Sequence, residues 1–419
     1  MAKFVIQGGR PLNGAIEVAA NKNAVLPMMA ACLLTDEDCF LDNVPAIADV
    51  DTMAEILREL GAQVELQLDS RMRINCSGVG SYRPSEPLVE RLRASIVLMG
   101  PLLARLGKAE MHHPGGDAIC TRSIDTHITA LQEMGASFQV EDNFYVASIQ
   151  PNGDDHYVFL DEASVTATEN AMLLAARRPG RTTIANAASE PHITNLGDML
   201  ESMGVRIEGR GSNILHIRGQ NCLTGARAAV WPDHVEVGTF AALAAACHGT
   251  VEIRNVVPVH LDMILLVLHR MGVDFLLTDD ALIVRPSTLT SISKIQTGVW
   301  PAFPTDLASI FIVLATQANG MTLVHDWMYE GRMFFVDKLV QMGARIVLAD
   351  PHRAVVSGPS SLRGREFVSP DIRAGIALVM GALIAEGESE IEHIELIDRG
   401  YERIDERLRS LGADIVRVC

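Results

Sequence analysis

Six copies of one short hydrophobic pattern run along the chain, each at the boundary between a predicted helix and a predicted strand. A bulky apolar residue is followed by Gly, by Ala or Val, by any residue and by a second apolar residue. An amphipathic stretch such as 50–60 precedes the pattern, and an apolar or alternating run follows it. This order predicts a helix that ends at a glycine with a left-handed backbone, and then a strand. The six glycines are Gly61, Gly135, Gly204, Gly272, Gly343 and Gly412.

The spacing of these glycines is regular, with successive differences of 74, 69, 68, 71 and 69 positions. Such a period indicates a repeat or pseudo-symmetric architecture. Six units divide naturally into two groups of three, and we expect the seam within 226–234. We therefore predict domain 1 at 20–229 and domain 2 at 1–19 plus 230–419, with the active site in the cleft between them.

Each unit also contains a helix that is apolar on nearly every side, which indicates burial on every side. The apolar runs are too short for the roughly 20 residues of a membrane span, so they are predicted to be core helices. Several of them are expected to open with a polar or charged residue, namely Lys22, Arg93, Glu169, Asp306 and Asp371. The predicted helices cover 22–34, 93–107, 169–180, 237–249, 306–320 and 371–387.

The second unit, at 109–138, has a longer loop than the others. An enlarged loop in one copy of a symmetric scaffold is a common place for function. The loop at 112–123 is therefore the first candidate for the catalytic segment. A metal site at His112 and His113, which precede it, is not favoured, because no further ligands accompany them.

Composition narrows the possible partners. The formal net charge of −17 argues against nucleic acid and anionic lipid as ligands, so a site for an anion must concentrate basic residues locally. The seven cysteines form no CxxC or Cys/His ligand spacing, which favours reduced thiols and neither a structural metal nor a cofactor. With no signal-peptide pattern at the N-terminus, we expect a cytoplasmic protein.

Seven strings in this order resemble the enolpyruvyl transferase family, and within it the branch that acts on nucleotide sugars. The resemblance covers essentially the whole chain. It implies a two-domain inside-out α/β barrel made of six βαβαββ-type repeats. The strings are NKNAVLP (21–27), LRASIVLMGPLLARLG (92–107), PGGDAICTR (114–122), SVTATEN (164–170), PAFPTD (301–306), DIRAG (371–375) and IDRGYERI (397–404).

The resemblance also implies a reaction. The enolpyruvyl group of phosphoenolpyruvate would pass to the 3-hydroxyl of UDP-N-acetylglucosamine with release of phosphate, the first committed step of peptidoglycan precursor synthesis. Addition followed by elimination needs a proton for the methylene carbon and a base for the attacking hydroxyl. It also needs cations for a phosphate and a carboxylate, a task that suits arginine.

Residue roles follow from positions that match the family strings. The catalytic set implied is Asp117, Lys22, Asp306 and Arg399, with Asp306 as candidate base. The phosphoenolpyruvate ligands implied are Lys22, Asn23, Arg122, Arg332, Asp371, Arg373 and Arg399. The UDP-sugar ligands implied are Asn23, Arg93, Arg122, Ser123, Ile124, Asp125, Thr126, Ser164, Val165, Asp306 and Met328.

Asp117 stands where the family usually carries the cysteine that donates the proton and reacts with fosfomycin. A carboxylic acid can deliver that proton if its surroundings raise its pKa, but a carboxylate is a poor nucleophile toward an epoxide. We therefore expect activity without fosfomycin sensitivity. Cys120, three residues later, would be strained if the family's glycine at that position has a positive φ, or it could return a thiol to the loop.

Three departures from the family leave the acceptor open, at Ser123, Glu162 and Ser189. One alternative is a paralogue that uses another nucleotide, such as uridine monophosphate, in antibiotic biosynthesis. Another, of a different class, is a non-catalytic regulator that binds a UDP-sugar. The sequence leaves the oligomeric state open as well.

Overall fold

The computed structural model describes residues 2–67, 69–115, 123–141, 144–150 and 154–418. These residues fold into two compact domains. Domain 1 consists of described residues between 20 and 231, and domain 2 of residues 2–19 and 232–418.

The described residues contain strands and helices in alternation. The strands are β1 (Lys3–Gln7), β2 (Asn13–Glu17), β3 (Cys39–Asp42), β4 (Gln63–Leu66), β5 (Met72–Asn75), β6 (Lys108–His112), β7 (Ala136–Glu141), β8 (Phe144–Ile149), β9 (His156–Phe159), β10 (Arg181–Ala185), β11 (Arg206–Glu208), β12 (Ile214–Arg218), β13 (Arg227–Ala229), β14 (Thr250–Arg254), β15 (Asp274–Leu277), β16 (Ala281–Arg285), β17 (Lys294–Gln296), β18 (Gly320–His325), β19 (Arg345–Asp350), β20 (Arg353–Gly358), β21 (Glu366–Val368), β22 (Glu388–Glu392) and β23 (Asp414–Val418). The helices are α1 (Lys22–Ala31), α2 (Ala48–Leu60), α3 (Glu86–Arg91), α4 (Met99–Leu106), α5 (Asp125–Glu133), α6 (Val165–Ala176), α7 (Pro191–Ser202), α8 (His234–Ala246), α9 (Asp262–Arg270), α10 (Ala308–Gln317), α11 (Val336–Gln341), α12 (Ile372–Ile384) and α13 (Ile404–Ser410).

Each domain contains three small sheets, counted over the described residues. In domain 1 the strand orders are β13-β3-β5-β4, β6-β8-β7 and β11-β12-β10-β9. In domain 2 they are β21-β22-β1-β23, β15-β16-β14-β2 and β17-β18-β20-β19. The four-stranded sheets combine an antiparallel core with one parallel edge pair, such as β9 with β10. The predicted fold class, a two-domain α/β protein of repeated units, is confirmed.

The six repeat glycines end helices as predicted. Each has a positive φ, between 79° at Gly272 and 112° at Gly61. A side chain with a β-carbon is strained in this region of backbone space, whereas glycine is not. The amide of Gly61 donates to the carbonyl of Arg58 at 3.0 Å and so closes the last turn of α2. This turn directs the chain into β4, and the same device recurs through the molecule.

The apolar helices form the interior of each domain. Every residue of α8 is buried, and residues 372–383 of α12 are buried as well. In domain 2, α10 packs against both α8 and α12, while in domain 1, α6 packs against α4 and α5. Because these helices fill the centre, the sheets and amphipathic helices take the solvent-facing side, and each domain has its own core.

The largest differences from the expected helix starts occur in two helices of domain 1. The predicted helix 93–107 is a 3-10 turn at Arg93–Leu98 followed by α4, which begins at Met99. Pro101 explains the break, because proline lacks an amide hydrogen and fits an α-helix only in its first turn. Glu169, expected at the start of a helix, lies inside α6, which begins at Val165 after the capping residue Ser164.

The chain crosses between domains at 19/20 and at 231/232. β2 precedes α1 of domain 1 in sequence but pairs with β14 in domain 2. β13 precedes α8 of domain 2 but pairs with β3 in domain 1. β2 therefore belongs to a sheet of domain 2, although the next helix in sequence belongs to domain 1. In the same way, β13 belongs to a sheet of domain 1, although the next helix in sequence belongs to domain 2. Within the described residues, no helix has the length and apolar character needed to cross a bilayer.

Candidate functional site

In domain 2, one carboxylate is held between two arginines. Asp306 lies in a 3-10 turn (Thr305–Leu307) that leads into α10. Its Oδ1 accepts a hydrogen bond from Arg332 Nη1 at 3.1 Å, and its Oδ2 accepts one from Arg373 Nη2 at 2.8 Å. The arginine side chains are only 4% and 9% exposed, against 24% for Asp306. The carboxylate is therefore the more accessible member of a partly buried cationic group, which we call the Asp306 group (Asp306, Arg332 and Arg373).

Arg373 is fixed from a second side. Its Nη1 donates to the hydroxyl of Tyr401 at 3.2 Å, and that hydroxyl lies 3.1 Å from Thr239 Oγ1 on α8. Burial alone would lower the pKa of Arg373, but the acidic neighbours Asp306, Tyr401 and Asp233 raise it overall. Arg373 is consequently a permanent cation, although it is buried in the domain.

Asp326 contacts the residues that position the Asp306 group. This carboxylate is fully buried and accepts hydrogen bonds from Thr297 Oγ1 at 2.8 Å and Thr305 Oγ1 at 2.6 Å. Arg332 Nε lies 3.5 Å from its Oδ2. Since Thr305 and Arg332 both contact Asp326, this residue fixes the turn that carries Asp306 and the arginine that binds it.

Asp233 adds a titratable carboxylate to domain 2. It caps α8 by accepting from the amide of Val235 at 2.8 Å. Burial raises its pKa to about 6, against the lowering effect of the Arg373 charge, and Glu236 raises it further. This group therefore changes charge just below neutral pH.

The other domain 2 residues named from the sequence have these places. Asp371 caps α12, with Oδ1 accepting from the amides of Arg373 at 2.7 Å and Ala374 at 2.8 Å. Met328 is partly buried, and its amide donates to Asp326 Oδ1 at 3.1 Å. Arg399 is partly buried in the segment between a 3-10 turn and α13. The structure therefore brings Asp306, Arg332, Arg373 and Asp371 together at the starts of α10 and α12.

In domain 1, Lys22 is the first residue of α1 and forms a buried ion pair. Lys22 Nζ lies 2.6 Å from Asp49 Oδ2, and the two side chains are 14% and 3% exposed. Asn21 caps the helix by accepting from the amide of Asn23 at 2.8 Å. Asp49, in the first turn of α2, thereby holds this cation at the start of α1.

Arg93 begins the 3-10 turn in domain 1 and donates from Nη1 to the carbonyl of Pro114 at 3.2 Å. Burial lowers the pKa of His127 to about 3, and the positive charge of Arg93 contributes to this lowering. Asn170 Nδ2 lies 2.9 Å from His127 Nδ1, and Asn170 Oδ1 accepts from the amide of Gly100 at 2.7 Å. The amide orientation of Asn170 makes His127 Nδ1 an acceptor, so the imidazole is neutral.

The stretch expected to bind the nucleotide leads into α5. Asp125 donates from its amide to Ser123 Oγ at 3.0 Å, and Thr126 Oγ1 donates to Asp161 Oδ1 at 2.7 Å. The side chain of Ile124 is 2% exposed and belongs to the core. Any contact of Ile124 with a ligand would therefore be made by its backbone, whereas Ser123 and Asp125 are exposed.

Ser164 and Val165 open α6. Ser164 Oγ accepts from the amide of Ala167 at 3.3 Å, which satisfies a backbone donor of the first turn. Further along α6, Glu169 is 2% exposed. Burial raises its pKa well above the usual range, with a further contribution from the charge of Glu190. Burial therefore favours the protonated form of Glu169, because a charged carboxylate is poorly solvated in the interior.

Three predicted loop residues, Asp117, Cys120 and Arg122, lie outside the described residues. Their roles stay predictions.

Sequence reasoning assigned no role to five polar residues that the structure buries within the two domains. A carboxylate in the first turn of an amphipathic helix, as at Asp49, or an acid within an apolar helix, as at Glu169, is a signal that could have been used. The others have partners distant in sequence that no local pattern shows. The five residues are Asp49, Glu169, Asp233, Asp326 and Tyr401.

The arrangement suits anion chemistry. Domain 2 presents a carboxylate on two buried guanidinium groups, and domain 1 presents an ammonium group and a guanidinium group at the starts of apolar elements. Such donors bind phosphate and carboxylate groups. Among the described residues, no cluster of three or more His, Cys, Asp or Glu side chains could hold a metal ion.

Comparison with known proteins gives a consistent result. The family model of EPSP synthase (3-phosphoshikimate 1-carboxyvinyltransferase) matches residues 6–408. A Treponema denticola protein named UDP-N-acetylglucosamine 1-carboxyvinyltransferase is 45% identical, over 99% of both chains. Proteins of the same name from Bradyrhizobium diazoefficiens and Bacteroides thetaiotaomicron are 45% and 42% identical, over 99% and 100% of this chain and 98% and 100% of their own lengths.

Solved structures share the fold. The enolpyruvyl transferase NikO from Streptomyces tendae superposes with a TM-score of 0.89 at 23% identity, covering 100% of this chain and 99% of its own. An EPSP synthase from Acinetobacter baumannii superposes with a TM-score of 0.76 at 18% identity and covers all of both chains. At these identities the likeness concerns the fold alone.

Proposed function

The chain belongs to the EPSP synthase family, and we propose that it transfers the enolpyruvyl group of phosphoenolpyruvate to the 3-hydroxyl of UDP-N-acetylglucosamine, with release of phosphate. The observation that carries the proposal is the similarity, at 41–45% identity over 98–100% of both chains, to relatives named for this reaction. The product would enter peptidoglycan synthesis, with consequences for cell shape and division. Because both substrates are soluble metabolites, the proposal includes a cytoplasmic location.

The Asp306 group supports the phosphoenolpyruvate half of the reaction. Phosphoenolpyruvate carries a phosphate and a carboxylate, and planar guanidinium groups bind both in two-point contacts. We assign this task to Arg332 and Arg373, with Arg399, Lys22 and Arg122 as further ligands. Their positions in the family strings support this assignment.

Asp306 is proposed as the base for the acceptor hydroxyl. Both of its oxygens are occupied by arginines, so an arriving anionic substrate would compete with Asp306 for the same donors. Binding of phosphoenolpyruvate would in this way release a carboxylate oxygen at the moment when the hydroxyl must lose its proton. General-base catalysis of this type contributes roughly 10²- to 10⁴-fold.

Asp117 is proposed as the acid that protonates the methylene carbon. A carboxylic acid can donate this proton, yet its conjugate base does not readily open an epoxide. The proposal therefore includes insensitivity to fosfomycin, which reacts with a thiol at this position in most of the family.

The acceptor is proposed from the names of the relatives, while Ser123, Glu162 and Ser189 depart from the family pattern. Arg93 and the stretch 123–126 would contact the nucleotide, together with Ser164 and Val165. Uridine monophosphate is the rival acceptor, and binding without turnover is the outcome expected of a regulator.

The test is phosphate release from phosphoenolpyruvate, with UDP-N-acetylglucosamine or uridine monophosphate as acceptor, with and without fosfomycin. We expect phosphate release when UDP-N-acetylglucosamine is the acceptor and none when uridine monophosphate is the acceptor. Fosfomycin should not inhibit the wild-type protein. Asp117→Cys should gain time-dependent inactivation, and Cys120→Ser should behave as wild type. Turnover only with the monophosphate, or binding without turnover, would overturn the assignment.

A further inference from the structure

Three arginines lie side by side on the solvent-facing side of one domain 1 sheet. Arg218 on β12 is directly opposite Arg181 on β10 and directly opposite Arg206 on β11. All three are exposed, whereas Ile217, the neighbour of Arg218, points into the core. We call Arg181, Arg206 and Arg218 the arginine row. Like charges opposite each other across strands are destabilising, so the row needs an explanation.

The repeats provide an internal comparison. The position two residues after each repeat glycine has a partner on the antiparallel neighbouring strand. In five repeats the pair is neutral, contains one charge or joins opposite charges, and only the third repeat pairs two cations. The pairs are Gln63 with Asn75, Ser137 with Ser148, Arg206 with Arg218, Asp274 with Arg285, Arg345 with Ser357 and Asp414 with Gln7. The scaffold therefore does not require the arginine row.

The protein compensates only part of this charge. Arg206 forms an ion pair with Glu208 at 2.8 Å. The carboxylate of Asp155 accepts from the backbone amide of Arg181, not from its guanidinium group. In the part of the chain that the structure describes, no carboxylate lies within 4.0 Å of the side-chain nitrogens of Arg181 or Arg218. Two positive charges thus remain together on a chain whose formal net charge is −17.

The row lines a depression of about 240 Å³ together with His216, Ile217 and Glu208, the ion-pair partner of Arg206. His216 Nδ1 lies 3.0 Å from Thr183 Oγ1. Adjacent strands are about 4.8 Å apart, so three guanidinium groups span roughly 10 Å. One or two phosphate groups fit this volume and span, whereas a protein partner would need a far larger surface.

From this geometry we propose that the arginine row binds the phosphate or diphosphate group of a small molecule. Arg181 and Arg218 would both bind its phosphate oxygens, and Arg206 would contact the ligand from the other side of Arg218. Guanidinium groups suit such oxyanions because their planar donors match two oxygens at once. The arginine row lies on the β11-β12-β10-β9 sheet, whereas Lys22 and Arg93 begin helical elements, and the proposed site does not depend on the proposed function.

Calorimetric titration of the full chain with pyrophosphate, at low ionic strength, tests this site. The double variant Arg181→Gln/Arg218→Gln should lose one binding component or bind at least about tenfold more weakly. The matched control is Arg285→Gln, at the equivalent place in another repeat, where Asp274 faces the arginine. It should bind as wild type. Any pyrophosphate bound at the proposed active site would persist in all three proteins.

A second measurement separates loss of the site from loss of the fold. Without ligand, the double variant should melt at or above the wild-type temperature, because a repulsion has been removed. Pyrophosphate should raise the melting temperature of the wild type and of Arg285→Gln more than that of the double variant. The same titration with ADP distinguishes a nucleotide from an inorganic ion, since the tighter binder identifies the source. Identical isotherms and identical thermal shifts in the three proteins would overturn the proposal.

Discussion

Lys22 Nζ and Asp49 Oδ2 lie 2.6 Å apart, in side chains that are 14% and 3% exposed. The pair joins the first turn of α1 to the first turn of α2. A cation proposed to bind phosphoenolpyruvate is therefore placed by a carboxylate that the sequence did not single out.

Asp49→Asn should destabilise the protein by about 1–3 kcal/mol, because Lys22 would lose its anionic partner while remaining largely buried. Urea unfolding measures the change. Asp51→Asn removes an exposed carboxylate from the same helical turn and should stay within about 0.5 kcal/mol of wild type. Equal effects of the two substitutions would show that the Lys22–Asp49 contact contributes nothing to stability.

Tyr401→Phe should raise the KM for phosphoenolpyruvate about three- to tenfold and change kcat less, because Arg373 loses a hydrogen bond that orients it. Steady-state kinetics with phosphate release gives both constants. Thr239→Val removes the other partner of the tyrosine hydroxyl and leaves the contact with Arg373, so its effect on KM should be smaller. A fall in kcat at constant KM would contradict a positioning role.

His127 predicts a loss of stability in acid. Its pKa is lowered to about 3 in the folded state, whereas an unfolded histidine titrates near 6.5. Between these values the unfolded chain binds the proton and the folded chain does not, so stability falls as the pH drops below 6.5, by about 5 kcal/mol in full.

Urea unfolding at pH 7.5 and pH 4.5 should show a smaller loss for His127→Gln than for wild type. The exposed His269→Gln is the control and should keep the wild-type slope. A wild-type slope in His127→Gln would show that the buried imidazole does not titrate in this way.

For Asp233 we expect the opposite dependence of folding stability on pH. Its pKa is raised to about 6 from an ordinary value of 3.8, so the folded state holds the proton more tightly than the unfolded state. Stability from this group is present at low pH and is lost as the pH rises from about 4 through 6, by roughly 3 kcal/mol.

Asp233→Asn keeps a capping side chain without the charge. It should be more stable than wild type at pH 7.5 and nearly equal to it at pH 4, as measured by urea unfolding. A variant that is less stable than wild type at pH 7.5 would contradict the cost assigned to the buried carboxylate.

The repeat can be predicted from the sequence because it depends on interactions between residues that are close in sequence. A glycine after an amphipathic helix, such as Gly61, and an apolar run that can only be buried are visible within a short window. The start of α4 differs from the expectation for an equally local reason, since Pro101 lies within the apolar run and restricts the α-helix to a start shortly before it. Glu169 resembles a charged residue at a helix start, but it lies inside α6 and is buried in the folded domain. Local sequence does not show this burial.

The candidate site was only partly visible. The chemistry of Asp306 and Arg373 could be proposed from strings that resemble a family, but not the contact between them, because 67 positions separate them. Asp326 and Tyr401 contact the arginines rather than belonging to a motif typical of ligand binding. Such supporting residues depend on the folded neighbourhood, and no spacing rule in the sequence reveals them.

β1, at residues 3–7, lies between β22 and β23, at residues 388–392 and 414–418. Domain 2 therefore cannot complete this sheet until residue 418 has been translated, whereas the described residues of domain 1, between 20 and 231, are translated earlier. At usual translation rates the N-terminal strand waits roughly 20 to 80 seconds for its partners. Synthesis from the N-terminus thus allows domain 1 to fold first, and this sheet of domain 2 closes only after residue 418 has left the ribosome.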